Sequence, residues 1–239
     1  RLESPKVVSD FYNPQPGDEN NHHIVLSWLL NESHNPVQLL ETYLMSNILL
    51  GNSASPLRKL LENTKLGKSP SPLTGLEADQ KELVFAAGLE GVDSNKSKEV
   101  ETLIMDCLKK LVEDGVPKDL IDSSLHQLEI RQREITGSGM PFGLQIMLTC
   151  LPACIHNDNP LNILDLDNAF NAIKNNLKTD NYIENLINKN LIKNNHRLTY
   201  SLIPDTELNK KNEEKIQNKV FEITKYFSSD DKEKLIKLA

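Results

Sequence analysis

The sequence has no long apolar run, little cysteine and no excess of basic residues. No stretch approaches the ~20 consecutive apolar residues that a helix needs to cross a bilayer, which predicts no membrane partner. The net charge is −7, and no stripe of lysine and arginine carries interleaved aromatic residues. Nucleic acid is therefore not an expected partner. The acidic balance is better explained by ordinary solubility than by the binding of basic peptides.

The three cysteines do not complete any known type of site. Cys107 lies in an apolar stripe with helical spacing and is predicted to be a small core residue. Cys150 and Cys154 are four residues apart and would share one face of a helix, but no pair of Cys or His residues completes a zinc-binding pattern. The low cysteine content fits a reducing compartment.

Histidine is the next candidate for a metal ligand or a general base. His22 and His23 are adjacent in a predicted strand and would point to opposite faces, so they are interpreted as structural. His126 and Glu129 match the first part of H-x-x-E-H, a helical motif in which two histidines bind zinc and the glutamate acts as base. Ile130 stands where the second histidine is required, so this segment is interpreted as a solvated helix face.

Other catalytic patterns are also absent from the sequence. It contains neither the G-x-S-x-G nucleophile elbow nor the phosphate-binding G-x-x-x-x-G-K loop. Two pairs of carboxylates have no partner that the sequence identifies: Glu113 with Asp114, and Asp165 with Asp167. The glycines near a predicted helix break are interpreted as turn residues: Gly137, Gly139 and Gly143. The sequence therefore predicts no catalytic, cofactor-binding or metal-binding residue in these 239 residues.

Apolar periodicity predicts three strands that form the body of a sheet. Residues 6–12 (KVVSDFY) begin the pattern, and residues 22–30 (HHIVLSWLL) form a nearly continuous apolar run that is typical of a central strand. Residues 196–203 (HRLTYSLI) alternate like a returning strand. After the second of these strands, Asn35-Pro36 predicts the start of a helix that ends at Gly51.

The stretch from Ser53 to Val92 predicts a short helix followed by two strands. Residues 52–55 can cap the helix, Pro56 suits its first turn, and Gly67 is placed where a helix commonly ends. The proline-interrupted segment 69–72 can only be an edge or entry strand. A second strand is predicted from alternating apolar residues: Leu83, Phe85, Ala87 and Leu89.

The longest predicted helix begins at Asp93 or Ser94 and ends at Gly115. Its apolar residues keep the three-and-four spacing of one buried stripe: Val100, Leu103, Ile104, Cys107, Leu108, Leu111 and Val112. A further helix is predicted from Pro117 to about Ile135. Several more follow between Pro141 and Asn190, divided at Pro152, at residues 157–160 and at residues 178–180.

The composition changes after Pro204, where the chain becomes charged, helical and poor in apolar positions. We therefore predict a domain over residues 1–203 and the first arm of a helical linker over residues 204–239. The sequence starts at Arg1 and stops inside an apparent helix, so it is expected to be a piece of a longer protein.

Several of these features occur in the order found in one protein family. They are the apolar strand at 22–30, the helix start at Ser55 and Leu57, the turn at Gly67, the strand end G-L-x-G-V at 88–92, the long helix, and the junction GVPKDL at 115–120. In this order they resemble the second domain of a half-molecule in the pitrilysin/insulinase family of zinc metallopeptidases. The strand end and the charged tail are most similar to the presequence protease branch, in which a helical hairpin joins two halves of a closed chamber.

The resemblance implies an α+β fold, with an antiparallel-rich sheet covered by helices on one face. It implies a parent protein that degrades unstructured peptides inside the chamber, with zinc held by the domain that precedes this one. The expected partners are that upstream zinc-binding domain, the C-terminal half of the same protein and peptide substrates. A bacterial cytoplasm or an organelle matrix would suit such a protein.

The resemblance also implies that this chain alone is inactive. In the equivalent domain of the other half, the family uses an arginine and a tyrosine to support the substrate and the transition state. Those positions fall near Glu62 and Ser69 here, which suggests the non-catalytic domain of the N-terminal half. Two alternatives stay open: an inactive subunit similar to a processing-peptidase partner, and a helical adaptor with little strand.

Overall fold

A computed structural model describes residues 2–19, 21–133, 139–156 and 159–228. The strands are β1 (Lys6–Tyr12), β2 (His22–Glu32), β3 (Ser69–Pro70), β4 (Gly75–Glu77), β5 (Glu82–Val92) and β6 (Arg197–Pro204). The helices are α1 (Pro36–Leu50), α2 (Pro56–Asn63), α3 (Ser97–Asp114), α4 (Lys118–Arg133), α5 (Phe142–Ile155), α6 (Leu161–Leu164), α7 (Asp167–Asn176), α8 (Tyr182–Ile187) and α9 (Leu208–Thr224). A π-helical turn at Asn188–Ile192 continues α8.

The described strands form one sheet in the order β1-β6-β2-β5-β3, with β4 also paired to β5. The central strand β2 is antiparallel to both β5 and β6, and β1 is parallel to β6. Leu26 lies between Ala87 of β5 and Thr199 of β6. The predicted α+β class with an antiparallel-rich sheet is confirmed. A helical adaptor with little strand is not compatible with this sheet, so that alternative is wrong.

The core lies between the sheet and the helical layer. Alternate residues of β2 are buried, among them Leu26 and Trp28, which have no exposed surface. The Trp28 ring packs 5.9 Å from the ring of Phe85, and its indole N–H donates to the carbonyl of Leu191 at 2.9 Å. Because a buried indole N–H needs an acceptor, this bond fixes the segment after α8 against the central strand.

Helix α1 forms as the Asn-Pro signature predicts. The Asn35 side chain accepts from the backbone N–H groups of Val37 and Gln38, both at 3.1 Å, and the helix ends before Gly51. These bonds satisfy two donors that the first turn otherwise leaves unpaired. The inward residues Leu40, Leu44 and Ile48 are fully buried.

Several predicted boundaries are wrong. Helix α3 begins at Ser97, because the backbone first makes a turn from Asp93 to Lys96. Helix α2 ends at Asn63, and Gly67 lies beyond it. A Cβ atom on Gly67 would come within 2.8 Å of the Glu90 carbonyl oxygen, so this glycine allows the chain to pass close to β5.

Helix α5 contradicts two further expectations. Pro152 was expected to divide helices and Gly143 to lie in a turn, but both lie inside α5. Gly139 has a φ of +70°, as a turn glycine does, whereas Gly137 lies outside the described residues. The predicted extension of α4 to Ile135 and the division at Asn157 also fall outside them.

Helix α9 follows β6 at the predicted change of composition. It has no buried residue, and its apolar side chains Ile216, Val220 and Phe221 are 51–68% exposed. The division of the chain near residue 203 and the role of residues 204–239 as a linker stay predictions. In the part of the chain that the structure describes, no helix is long and apolar enough to cross a membrane.

Candidate functional site

A large groove runs between α2 and the outer side of α3. Its volume is about 1010 Å³. Its apolar lining comes from α2 and the segment after it, from α3 and from the start of α4: Leu60, Leu66, Leu103, Cys107, Leu111 and Leu120. We call this feature the α2–α3 groove. A concave apolar surface of this size is typical of a binding site.

The groove exists because the apolar stripe of α3 is wider than the surface that covers it. Val100, Ile104 and Leu108 are fully buried against the rest of the domain. Leu103, Cys107 and Leu111 lie on the neighbouring arc of the helix and are only partly buried. The predicted buried stripe is therefore completely covered only on its first arc, whereas the second arc packs against the core and also lines the groove.

Charged residues of both signs form the rim of the α2–α3 groove. They are Lys98, Glu99, Asp106, Lys110 and Asp114. Asp106 forms an ion pair with Lys109 at 3.3 Å, with both side chains more than half exposed. An exposed pair of this kind contributes little to binding or stability. The mixed rim therefore gives the groove no strong preference for one sign of charge.

Cys107 contributes a thiol to the apolar lining of the groove. Burial raises the pKa of its thiol, and the nearby Lys110 ammonium only partly opposes that effect. Because the thiolate is the reactive form, a raised pKa makes this cysteine a weak nucleophile. The groove is suited to holding apolar side chains and has no arrangement for covalent catalysis.

The structure does not bring the candidate metal ligands together. Within the described residues, no group of three or more His, Cys, Asp or Glu side chains could hold a metal ion. His126 is exposed on α4, and the Glu129 carboxylate accepts from the ammonium group of Lys174. The described residues therefore do not fit a zinc site.

The two adjacent histidines lie at the start of β2, where the pairing with β5 is irregular between them. The His23 ring lies edge-on to Tyr12 with the ring centres 5.5 Å apart, and its Nδ1 is 3.4 Å from the Ser71 hydroxyl. Burial lowers the pKa of His23, although the carboxylates of Glu90 and Asp18 oppose the shift. These contacts are consistent with the structural role expected for His23.

The remaining candidates occupy separate places. All three cysteines are free; Cys150 and Cys154 lie on α5, with the Cys150 sulfur 3.8 Å from the carbonyl of Pro160. Glu113 and Asp114 are exposed at the end of α3. Asp167 forms an ion pair with Arg133 at 3.3 Å, and Asp165 accepts from the Asp167 backbone N–H at 3.4 Å.

The two positions aligned with the family's arginine and tyrosine have structural partners. Glu62 forms an ion pair with Arg58, one turn earlier on α2. The Ser69 hydroxyl on β3 donates to the Glu90 carboxylate on β5. These contacts stabilise the helix and the sheet edge.

Two polar contacts that position the helices could not be predicted from the sequence, one buried and one partly buried. The Glu184 carboxylate accepts from the backbone N–H of Val116 at 2.6 Å, at the junction between α3 and α4. The Tyr182 hydroxyl donates to the Glu41 carboxylate on α1. The sequence positions of these residues give no signal that they pair across 68 or 141 residues.

Together these features define an α+β domain with a helical layer on one side of its sheet, an apolar groove and no cluster of catalytic groups in its described residues. Residues 2–128, more than half of the chain, match the family described as the peptidase M16 inactive domain. The chain belongs to this family.

A relative and two solved structures agree with this assignment. The chain is 31% identical over 222 residues to presequence protease 1, chloroplastic/mitochondrial, of Arabidopsis thaliana, covering 91% of this chain and 20% of the relative. A protease from Helicobacter pylori matches with a TM-score of 0.62 at 14% identity, covering 85% of this chain and 45% of that one.

The second solved structure is a peptidase M16 inactive domain from Pseudomonas fluorescens. It matches with a TM-score of 0.56 at 14% identity, over 86% of this chain and 45% of that chain. At such low identity these two structures establish the fold alone. The chain spans only about a fifth of the length of the curated relatives, 20–23% for the first three.

Proposed function

We propose that this chain is a non-catalytic domain of a zinc metalloendopeptidase that degrades unstructured peptides inside a closed chamber. The observation that carries the proposal is the match of residues 2–128 to the peptidase M16 inactive domain, together with similarity to a presequence protease over 91% of the chain. The role of the domain is to form part of the chamber wall and to limit which substrates enter.

The continuous packing of the domain core suits the proposed role as part of the chamber wall. Fully buried residues of β2, α1 and α3 belong to one continuous cluster, so the sheet and the helical layer move as a unit. The α2–α3 groove offers apolar surface without an acid–base pair or a reactive thiol. Such a surface binds and positions other parts of a protein without performing chemistry.

The catalytic zinc belongs, in this proposal, to a domain that precedes residue 1. The described residues do not fit a zinc site, and Glu129 is engaged with Lys174. The relatives are about five times as long as the matched segment, which leaves room for an upstream zinc-binding domain and a second half. Helix α9, with its exposed Ile216, Val220 and Phe221, is the start of the linker between the halves.

The test uses the longer polypeptide, obtained by expressing this chain with its flanking coding sequence. Unstructured peptides of increasing length carry one cleavable segment, and the same segment is also fused to a stably folded domain. We expect efficient cleavage of the shorter peptides, slower cleavage as length increases and no cleavage of the folded fusion.

Two results would overturn the proposal. Cleavage that is equally fast for every length and for the folded fusion would exclude a closed chamber. Binding of the peptides without any cleavage would instead favour an inactive subunit similar to a processing-peptidase partner. Residues 1–239 alone serve as the control, for which no cleavage is expected.

A further inference from the structure

Helix α5 presents an apolar stripe outward. Five residues at positions i, i+3, i+4, i+7 and i+11 are each 40–61% exposed: Leu144, Met147, Leu148, Leu151 and Ile155. We call them the α5 stripe. This spacing places them along one side of the helix, which is the pattern of a helix that packs against another element. In the described residues, the inward side of α5 buries only Pro152 and Ala153.

Helix α5 buries little of its surface against the described part of the domain. A 14-residue helix is marginal in water even with a favourable sequence, and α5 contains Gly143 and Pro152, which both disfavour a helix interior. Beneath it lies a pocket of about 220 Å³ whose lining includes Gln145, Pro152 and Tyr43, so its packing on the domain is incomplete. The outer side of α5 is therefore available for packing against a further element.

We propose that the α5 stripe is an interface for an apolar helix from another domain of the same polypeptide, outside residues 1–239. This inference rests on the proposed function, because it requires a longer protein. The length of the relatives supports it, since residues 1–239 correspond to only about a fifth of their chains.

The composition of α5 identifies the chemistry of its partner. From Met140 to Ile155 the sequence contains no Asp, Glu, Lys, Arg or His. Permanent interfaces are more apolar than transient ones and have few charges at their centre. The complementary surface is therefore a helix with leucine-like and aromatic side chains and no charge on the contacting side.

A second copy of the chain and a membrane surface fit less well. A standard interface between two proteins buries about 800 Å² on each partner. The exposed area of the five stripe residues is roughly half of that value, which is too little to hold two separate molecules together. A helix of the same polypeptide avoids most of the entropic cost of association. Helices that lie on membranes carry Lys and Arg on their polar side, and α5 has neither.

The test is amide hydrogen exchange on residues 1–239 and on the polypeptide with its flanking regions. We expect the amides of Leu144 to Leu151 to exchange at least about tenfold more slowly in the longer polypeptide, because the docked helix suppresses local opening. Equal exchange in the two proteins would overturn the proposal. This comparison needs no variant, so it does not depend on the folding of a mutant.

A matched pair of variants locates the contact. Leu151→Glu places a carboxylate in the α5 stripe, and Leu73→Glu places one on a leucine of similar exposure outside it, 43% against 52%. Neither variant is expected to change the melting temperature of residues 1–239. In the longer polypeptide, Leu151→Glu should restore fast exchange in α5 and Leu73→Glu should not. If both variants leave α5 protected, the stripe is not the interface.

Other occupants give different results, each of which would overturn the proposal. A second copy predicts that residues 1–239 sediment as a dimer that Leu151→Glu dissociates. A membrane predicts flotation of residues 1–239 with vesicles of anionic phospholipid. Zinc content and peptide cleavage are measured on the same longer polypeptide. Protection of α5 without zinc or cleavage would contradict the proposed function alone, and zinc-dependent cleavage without protection would contradict this inference alone.

Discussion

At the scale of single residues, Glu184 connects three helices. It lies on α8, it is 8% exposed, and its carboxylate accepts from the Val116 backbone N–H between α3 and α4. The preceding Gly115 has a φ of +82°, a conformation that glycine adopts without the strain other residues incur. The glycine turns the chain sharply, and the carboxylate satisfies the amide that this turn leaves unpaired in a buried place.

We predict that Glu184→Leu lowers the free energy of unfolding by about 1–3 kcal/mol, because the Val116 N–H then has no acceptor. Glu184→Gln keeps an acceptor oxygen of nearly the same shape and should cost less. Urea unfolding of the two variants and the wild type measures this difference. A Leu variant as stable as the Gln variant would show that the bond does not hold the junction.

Tyr182 is the second polar residue with a long-range role. Its hydroxyl donates to the Glu41 carboxylate and accepts from the Asn176 side-chain amide at 3.1 Å. Burial raises the pKa of Tyr182, and the hydrogen bond to Glu41 raises it further. Because the folded state holds the phenolic proton more tightly, its stabilising effect is complete below the unfolded pKa near 10. That effect is lost as the pH rises above 10 toward the folded value.

We predict that Tyr182→Phe costs about 1 kcal/mol at pH 8, where the hydrogen bond is intact. The difference between wild type and variant should become smaller above pH 10, because only the wild type loses the contribution of this phenol. Denaturant unfolding of both proteins across this pH range provides the measurement. A difference that stays constant or grows with pH would contradict the assigned role.

At the scale of elements, α3 has two apolar arcs with different neighbours. Leu108 has no exposed surface and packs in the core, whereas Leu111, one turn later, lines the α2–α3 groove. Replacing each of these leucines by alanine therefore compares the stability cost of a change in the core with that of the same change in the groove lining.

We predict that Leu108→Ala costs about 2–5 kcal/mol, because it removes buried methyl groups and leaves a cavity. Leu111→Ala should cost about 1 kcal/mol or less, since its side chain is already partly in contact with water. Thermal and urea unfolding of the two variants measures both. Equal costs would mean that the groove is closed and that both leucines belong to the core.

The elements that could be predicted from sequence are those whose signals are local. The continuous apolar run of β2, the alternation in β5 and the Asn35-Pro36 start of α1 depend on neighbours within a few residues, and each element lies where it was predicted. Strand β4 was missed because its three residues, Gly75–Glu77, are too few to show a period. Gly67 was misassigned to a helix end. A glycine is needed at this position because the backbone passes close to Glu90, which is distant in sequence.

The α2–α3 groove could not be predicted for a related reason. Periodicity identifies which residues of α3 share a side, but it does not say how much of that side other elements cover. The coverage depends on where Leu60, Leu66 and Leu120 lie relative to α3, and this is set by the packing of the whole domain. The same limit applies to the α5 stripe. Its apolar pattern normally indicates residues of the core, but here these residues face outward.

At the scale of the whole molecule, the chain is a sheet with a helical layer, and its described residues leave apolar surface uncovered at the α2–α3 groove and at the α5 stripe, among other places. It belongs to the peptidase M16 inactive-domain family and spans about a fifth of its curated relatives. Both facts support the proposal that this chain is a non-catalytic domain of a longer protein.

The most direct test of the central claim is to measure zinc content and peptidase activity together, on residues 1–239 and on the polypeptide extended through its upstream region. We predict about one zinc per extended chain, with cleavage of unstructured peptides that a chelator abolishes, and neither zinc nor cleavage for residues 1–239. Zinc binding and cleavage by residues 1–239 alone would contradict the account, and so would an extended chain that neither binds zinc nor cleaves.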